Sequence, residues 1–170
     1  MNKEESQING KIIEKFSDFE EILNLLIEEY ENITSKFNIL IIDKNFFNNI
    51  DDKIHEEIKN FIVKIKSVNS NNNLYWLISK KYNFRSPNKV NNLTLLYPKY
   101  KGTYFHDRFI FIFDSVSRSY LAKLHIGHSI NGFYNKNDFD IFRVSEINDE
   151  EKDKVMKIVK NLYNFNLETI

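Results

Sequence analysis

The chain has 170 residues, 42% of them hydrophobic and 15% aromatic, with 24 Lys and Arg balancing 24 Asp and Glu and no cysteine. That length is one domain's worth and the apolar content is ample for one core, which excludes an intrinsically disordered chain. Lack of Cys excludes a disulfide framework and any thiolate metal site, and zero net charge excludes a global attraction to nucleic acid or anionic lipid, so a polyanion must be held by a local patch.

Met1 to Lys11 contains no apolar signal-peptide core, and no later segment approaches the ~18 consecutive apolar residues of a membrane span. The expectation is a cytoplasmic protein with neither an export signal nor a membrane span. Lys and Asn are so common here that clusters such as Asn71-Asn72-Asn73 carry little weight, whereas only four Arg occur: Arg85, Arg108, Arg118 and Arg143.

In chain order, residues 1–36 form an N-terminal helical segment. From Phe16 to Ile33 the apolar residues Phe16, Phe19, Ile22, Leu23, Leu26, Ile27 and Tyr30 recur at three- and four-residue steps, one face of an amphipathic helix whose other face is acidic. Asn38 to Asp43 is a short β-branched run suited to a buried strand. Asp51 or Asp52 caps a second helix with Ile50, Ile54, Ile58, Phe61, Ile62 and Ile65 on its apolar side. Leu74 to Ile78 is the next strand, so residues 39–78 form a β-α-β unit with a parallel pair.

Shorter strands follow at Leu93 to Tyr97, Tyr104 to Phe113, Tyr120 to Ile126 and Phe139 to Val144, which makes the sheet mixed. Asn148 or Asp149 caps a last helix with Val155, Ile158, Val159 and Leu162 as its buried stripe. The fold class is therefore α/β, a mixed sheet covered by helices, with residues 1–170 in a single domain.

The chemically suggestive stretch begins at His106-Asp107-Arg108. Residues two apart on a strand share a face, so His106 and Arg108 project together and can meet an anion. After the next strand come Gly127, Ser129 and Asn131: the side chains donate hydrogen bonds, and a glycine lets backbone approach a ligand closely. Together they make a candidate phosphate cradle.

This pattern, His-x-Arg opening an apolar strand and Gly-x-Ser-x-Asn closing a later one, resembles the phospholipase D superfamily, in particular bacterial phospholipase D-like domains with His-Asp-Arg in the strand Tyr104 to Ile110. By topology the resemblance covers roughly residues 38–165, and by motif residues 104–147. It implies a phospholipase D-like fold, His106 as the nucleophile of a metal-independent phosphodiesterase with no cofactor, Arg108 and Asn131 as catalytic phosphate holders, and Gly127 and Ser129 in support. With one motif per chain, a complete site would need a homodimer contributing two copies of His106. The implied function is phosphodiester recognition, as a nuclease-like or accessory component of bacterial nucleic-acid processing or defence. The alternative is an inactive interaction module of the same fold, binding a protein partner or lipid head groups.

Two departures stand out. Arg108 replaces a compact ammonium by a planar fork. The family's acidic position falls on Phe113, with Asp114 one place late, and a one-residue slip turns a strand side chain to the opposite face unless a bulge intervenes.

Other readings stay open at this level. His106 fits a hydrogen-bonded histidine at a sheet end, with Arg108 paired to Asp107 or Asp138. His125-Ile126-Gly127-His128 spells a signature of class I aminoacyl-tRNA synthetases, but it comes late in the chain and without the companion lysine-rich loop. His106, His125 and His128 have the residue type of a zinc site but not a recognised ligand spacing, so no metal is expected. Lys80, Lys81, Tyr82 and Arg85 interleave cations with a ring, a pattern that suits a nucleic-acid contact as well as a solvated loop.

Overall fold

The structure, a computed structural model, describes residues 8–14, 16–31, 36–43, 60, 63, 73–77, 93–99, 107–127, 142–163 and 165. Within them the chain forms β1 (Ile12–Ile13), α1 (Phe16–Glu31), β2 (Phe37–Ile42), β3 (Asn73–Leu77), β4 (Leu93–Leu96), β5 (Arg108–Asp114), β6 (Tyr120–Ile126), β7 (Phe142–Glu146) and α2 (Asp149–Tyr163). The helix expected after Asp51 lies outside the described residues apart from Asn60 and Val63, both helical.

The seven strands form one sheet in the order β1-β7-β6-β5-β2-β3-β4. β2 runs parallel to β3, as the β-α-β reading expects, and β3 parallel to β4; every other pair is antiparallel, so the sheet is mixed. β2 lies between β3 and β5, and all six of its residues are buried. That is why Phe37-Asn38-Ile39-Leu40-Ile41-Ile42 reads as an almost continuous apolar run rather than an alternating one. Asn38, the polar member, has its Oδ1 satisfied by the Asn73 amide across the β2–β3 pair at 3.1 Å.

Strand alternation divides the core into two layers. Ile39 and Ile41 of β2, Trp76 of β3, Ile110 and Ile112 of β5 and Leu124 of β6 meet Ile22, Leu23, Leu26 and Ile27 of α1 on one face. Leu40 and Ile42, Leu77, Phe109, Phe111 and Phe113 meet Val155, Val159 and Tyr163 of α2 on the other. Full burial of a large apolar side chain contributes about 1.5–3 kcal/mol, so the interleaved Phe and Ile residues of β5 stabilise both layers at once.

The helices differ from expectation in detail. α2 begins with a reciprocal cap: Asn148 Oδ1 accepts the Glu151 amide at 2.9 Å while Glu151 Oε2 accepts the Asn148 amide at 3.1 Å. Its buried residues are Val155, Val159 and Tyr163, with Leu162 partly buried, whereas Ile158 is 44% exposed. At 100° per residue Ile158 lies well around the helix from a stripe centred on Val159, so the expectation that it is buried is corrected. The N-terminal segment is not wholly helical: Gly10, with φ of 82°, turns the chain so that Ile12 and Ile13 pair with Arg143 and Phe142 and close the sheet edge.

The antiparallel β5–β6 pair shifts register between Ile112, opposite Ala122, and Phe113, opposite Tyr120. The extra residue is Leu121 on β6, whose carbonyl accepts the Tyr30 hydroxyl of α1 at 2.6 Å. Burial, with help from the nearby Glu29 and Glu146 carboxylates, pushes that hydroxyl up to about 12. On the opposite face Lys123 of β6 reaches Asp149 at the start of α2 at 2.8 Å, and this hydrogen bond, with the charges of Lys123 and Lys152, holds the Asp149 carboxyl below its ordinary range. Among the described residues no helix is long and apolar enough to cross a membrane.

Candidate functional site

Because β5 is antiparallel to both β2 and β6, its first residue stands where each of them ends. Ile42 pairs with Phe109, and Arg108 pairs with Ile126. Continuing the first register by one residue sets Asp43 opposite Arg108, and leaving β6 by one residue reaches Gly127. Arg108 and Gly127, the described members of the two halves of the motif, thus meet at one end of the sheet, the carboxyl end of the parallel strands β2 and β3. His106, Ser129 and Asn131 lie outside the described residues, as do Lys80, Lys81, Tyr82 and Arg85.

The Arg108 side chain is 14% exposed and faces the fully buried carboxylate of Asp43, with Nε 3.8 Å from Oδ1. Asp107 belongs to the opposite face of β5, where its Oδ1 lies 3.7 Å from His125 Nε2, and Asp138 lies outside the described residues. The His125 ring in turn rests on Phe109, with centroids 5.1 Å apart. Asp43 is the residue that sequence reasoning missed. Its signal was a carboxylate ending an apolar β-branched run, where a charge is retained inside only if something pairs with it.

Asp43 is held at this point by its backbone as well. Its amide donates to the Leu77 carbonyl at 3.3 Å, extending the parallel β2–β3 ladder one residue past the strand. The carboxylate alternates to the α1 face with Ile39 and Ile41, and Arg108 to the same face with Ile110 and Ile112. The ion pair thus caps the α1-side core layer at the end where the motif opens.

Gly127 is exposed, and a methyl group built on it would meet no atom within 4 Å. Among the described residues neither a left-handed backbone nor tight packing calls for glycine there.

Asp114 takes no part in this site. It ends β5 at the far end of the strand, about 20 Å from Arg108 at 3.3 Å per residue. There its Oδ1 accepts the amides of Val116 at 2.9 Å and Ser117 at 2.6 Å, an Asx turn that starts the β5–β6 hairpin. The bulge that the one-residue slip would require exists, but on β6, so Phe113 stays buried in the α2-side core and Asp114 keeps its own face.

His125, Ile126 and Gly127 close the sixth strand rather than opening a helix after a first strand, which is not the setting of a synthetase signature. Among the described residues no three His, Asp or Glu side chains gather as metal ligands; of the zinc triad weighed above, His106 and His128 lie outside them. No protein-family model, curated protein or solved structure matches this chain.

Proposed function

We propose that the chain is a phospholipase D-like domain that recognises phosphodiesters at the carboxyl end of β2 and β3, as a nuclease-like or accessory component of bacterial nucleic-acid processing or defence. The observation that carries the reading is the β5–β6 register, which brings Arg108 to within one strand position of Gly127 although the two belong to separate stretches of sequence. In open α/β sheets the carboxyl ends of parallel strands are where ligands gather, because the loops there are free to vary over a fixed frame. The parallel strands β2, β3 and β4, followed by antiparallel strands and a terminal helix, support the proposed fold.

In this reading Arg108 offsets the charge of the bound diester, and Ser129 and Asn131 donate to its oxygens. His106 attacks phosphorus, forming an N–P bond as the P–O ester bond breaks, and the His106 of a second copy delivers the proton to the leaving oxygen. Water then displaces the histidine. The reaction uses no metal and requires two chains.

One observation favours the second reading, an inactive interaction module for a protein partner or lipid head groups: Arg108 is mostly buried and already charge-compensated by Asp43. The two are separated by assaying cleavage of single- and double-stranded nucleic acid and of a generic phosphodiester by wild type and His106→Ala, with and without EDTA, while light scattering reports mass. Metal-independent cleavage by a dimer, lost in the variant, is the expected result. A folded monomer that cleaves nothing would leave the interaction module.

A further inference from the structure

We infer that Asp43 is the positioning residue of the phosphate site and sets its preference for singly charged phosphodiesters over doubly charged phosphomonoesters. This rests on the phosphodiester reading given above. A buried ion pair is a poor way to stabilise a fold, because desolvating both charges offsets most of their attraction, and apolar residues of similar volume do as well or better. What such a pair does supply is a fixed geometry. Here the carboxylate is fully buried and anchored by the Asp43 amide on Leu77, while the Arg108 side chain, its Nε buried, is 14% exposed at the sheet end beside Gly127.

Two consequences follow for an anion arriving there. The long Arg108 side chain places its Nε 3.8 Å from Asp43 Oδ1, an ion-pair contact that gives the side chain a direction before the ligand binds. The anion also meets a cation whose charge is already balanced from behind. Both the attraction to the guanidinium and the repulsion from the buried carboxylate, which water screens poorly, grow with the ligand's charge, so the carboxylate offsets twice as much binding energy for a dianion, which also has the higher desolvation cost. Diesters carry one charge and monoesters nearly two above their second pKa near 6. Asp43 therefore discriminates by charge without touching the ligand.

The test uses the whole chain at pH 7.5, with dimethyl phosphate and methyl phosphate as the probes and binding followed by phosphorus NMR titration. Wild type is expected to bind dimethyl phosphate more tightly than methyl phosphate. Asp43→Asn, close in shape but uncharged, is expected to move the ratio of the two dissociation constants about tenfold toward methyl phosphate, and Asp43→Glu to restore the wild-type order. Arg108→Ala is expected to weaken both ligands. A purely structural role for Asp43 would lower both affinities together, so an unchanged ratio in a folded Asp43→Asn protein overturns the inference and leaves the phosphodiester reading standing. If that variant does not fold, the wild-type comparison decides: methyl phosphate bound as tightly as dimethyl phosphate overturns the inference. If wild type binds neither probe, the phosphodiester reading fails and this inference with it.

Discussion

The Asp43–Arg108 pair carries a quantitative expectation for stability. Asp43 is fully buried and its Oδ1 lies 3.8 Å from Arg108 Nε. At that separation two unit charges attract by about 4 kcal/mol at an effective dielectric constant near 20, most of it offset in the native protein by desolvation. Arg108→Ala removes this attraction while Asp43 stays buried, so a loss of about 3–5 kcal/mol is expected. Asp43→Ala leaves a long, partly exposed side chain that can turn its charge toward water, so the expected loss is smaller, about 1–3 kcal/mol. The double variant has no charge left to desolvate and is expected to be more stable than the sum of the single losses implies, by about 2 kcal/mol. Urea unfolding followed by fluorescence measures this directly, since Trp76 is the chain's single tryptophan and is 0% exposed in the α1-side core. Single losses that add to within about 0.5 kcal/mol in the double variant would refute the coupling, and with it the idea that Asp43 holds Arg108.

Further expectations concern the helices and the tyrosines. Ile158→Lys is expected to change stability by no more than about 0.5 kcal/mol, whereas Val159→Lys, which places a charge in the α2-side core, should prevent folding or abolish cooperative unfolding; thermal melts of the two distinguish them. Asn148→Ala breaks the reciprocal cap of α2 and is expected to lower stability by about 1 kcal/mol in urea titrations, with Asn148→Asp close to wild type. Burial pushes the Tyr30 hydroxyl up to about 12, against about 10 in an unfolded chain. The unfolded state therefore loses this proton first, and the stability contributed by the protonated Tyr30 is present below pH 10 and lost as pH rises toward 12. Tyr30→Phe should flatten the fall of stability over that window, measured by urea midpoints from pH 8.5 to 11.5. Tyr120, also pushed up to about 12 by burial and Asp153, leaves part of the slope in place.

Local periodicity made much of this architecture legible. The three- and four-residue spacing of Ile22, Leu23, Leu26 and Ile27 specifies which side of α1 is buried, and the apolar run of β2 specifies a strand covered on both faces, because each pattern matches the repeat of one backbone geometry. The Asn148 cap is similarly local, since its partner Glu151 lies within one helical turn. Periodicity was less able to centre the α2 stripe. Apolar residues at both Ile158 and Val159 fit a helical face, and only the position of the sheet beneath α2 selects Val159.

What the sequence by itself determined is the α/β class, the parallel β2–β3 pair within a mixed sheet, and the two short motif halves. What only the tertiary structure decided is which charged groups meet. Asp43 and Arg108 are far apart in the chain, and their pairing is set by the β2–β5 register; Asp107 and His125 meet through the β5–β6 register. The spacing that made Asp107 a reasonable partner for Arg108 failed because neighbours on a strand point to opposite faces. The Leu121 bulge likewise depends on two strands being matched residue by residue and leaves no local mark. Strand identity is written in local alternation, but register is a relation between distant segments, settled by the buried faces they must share.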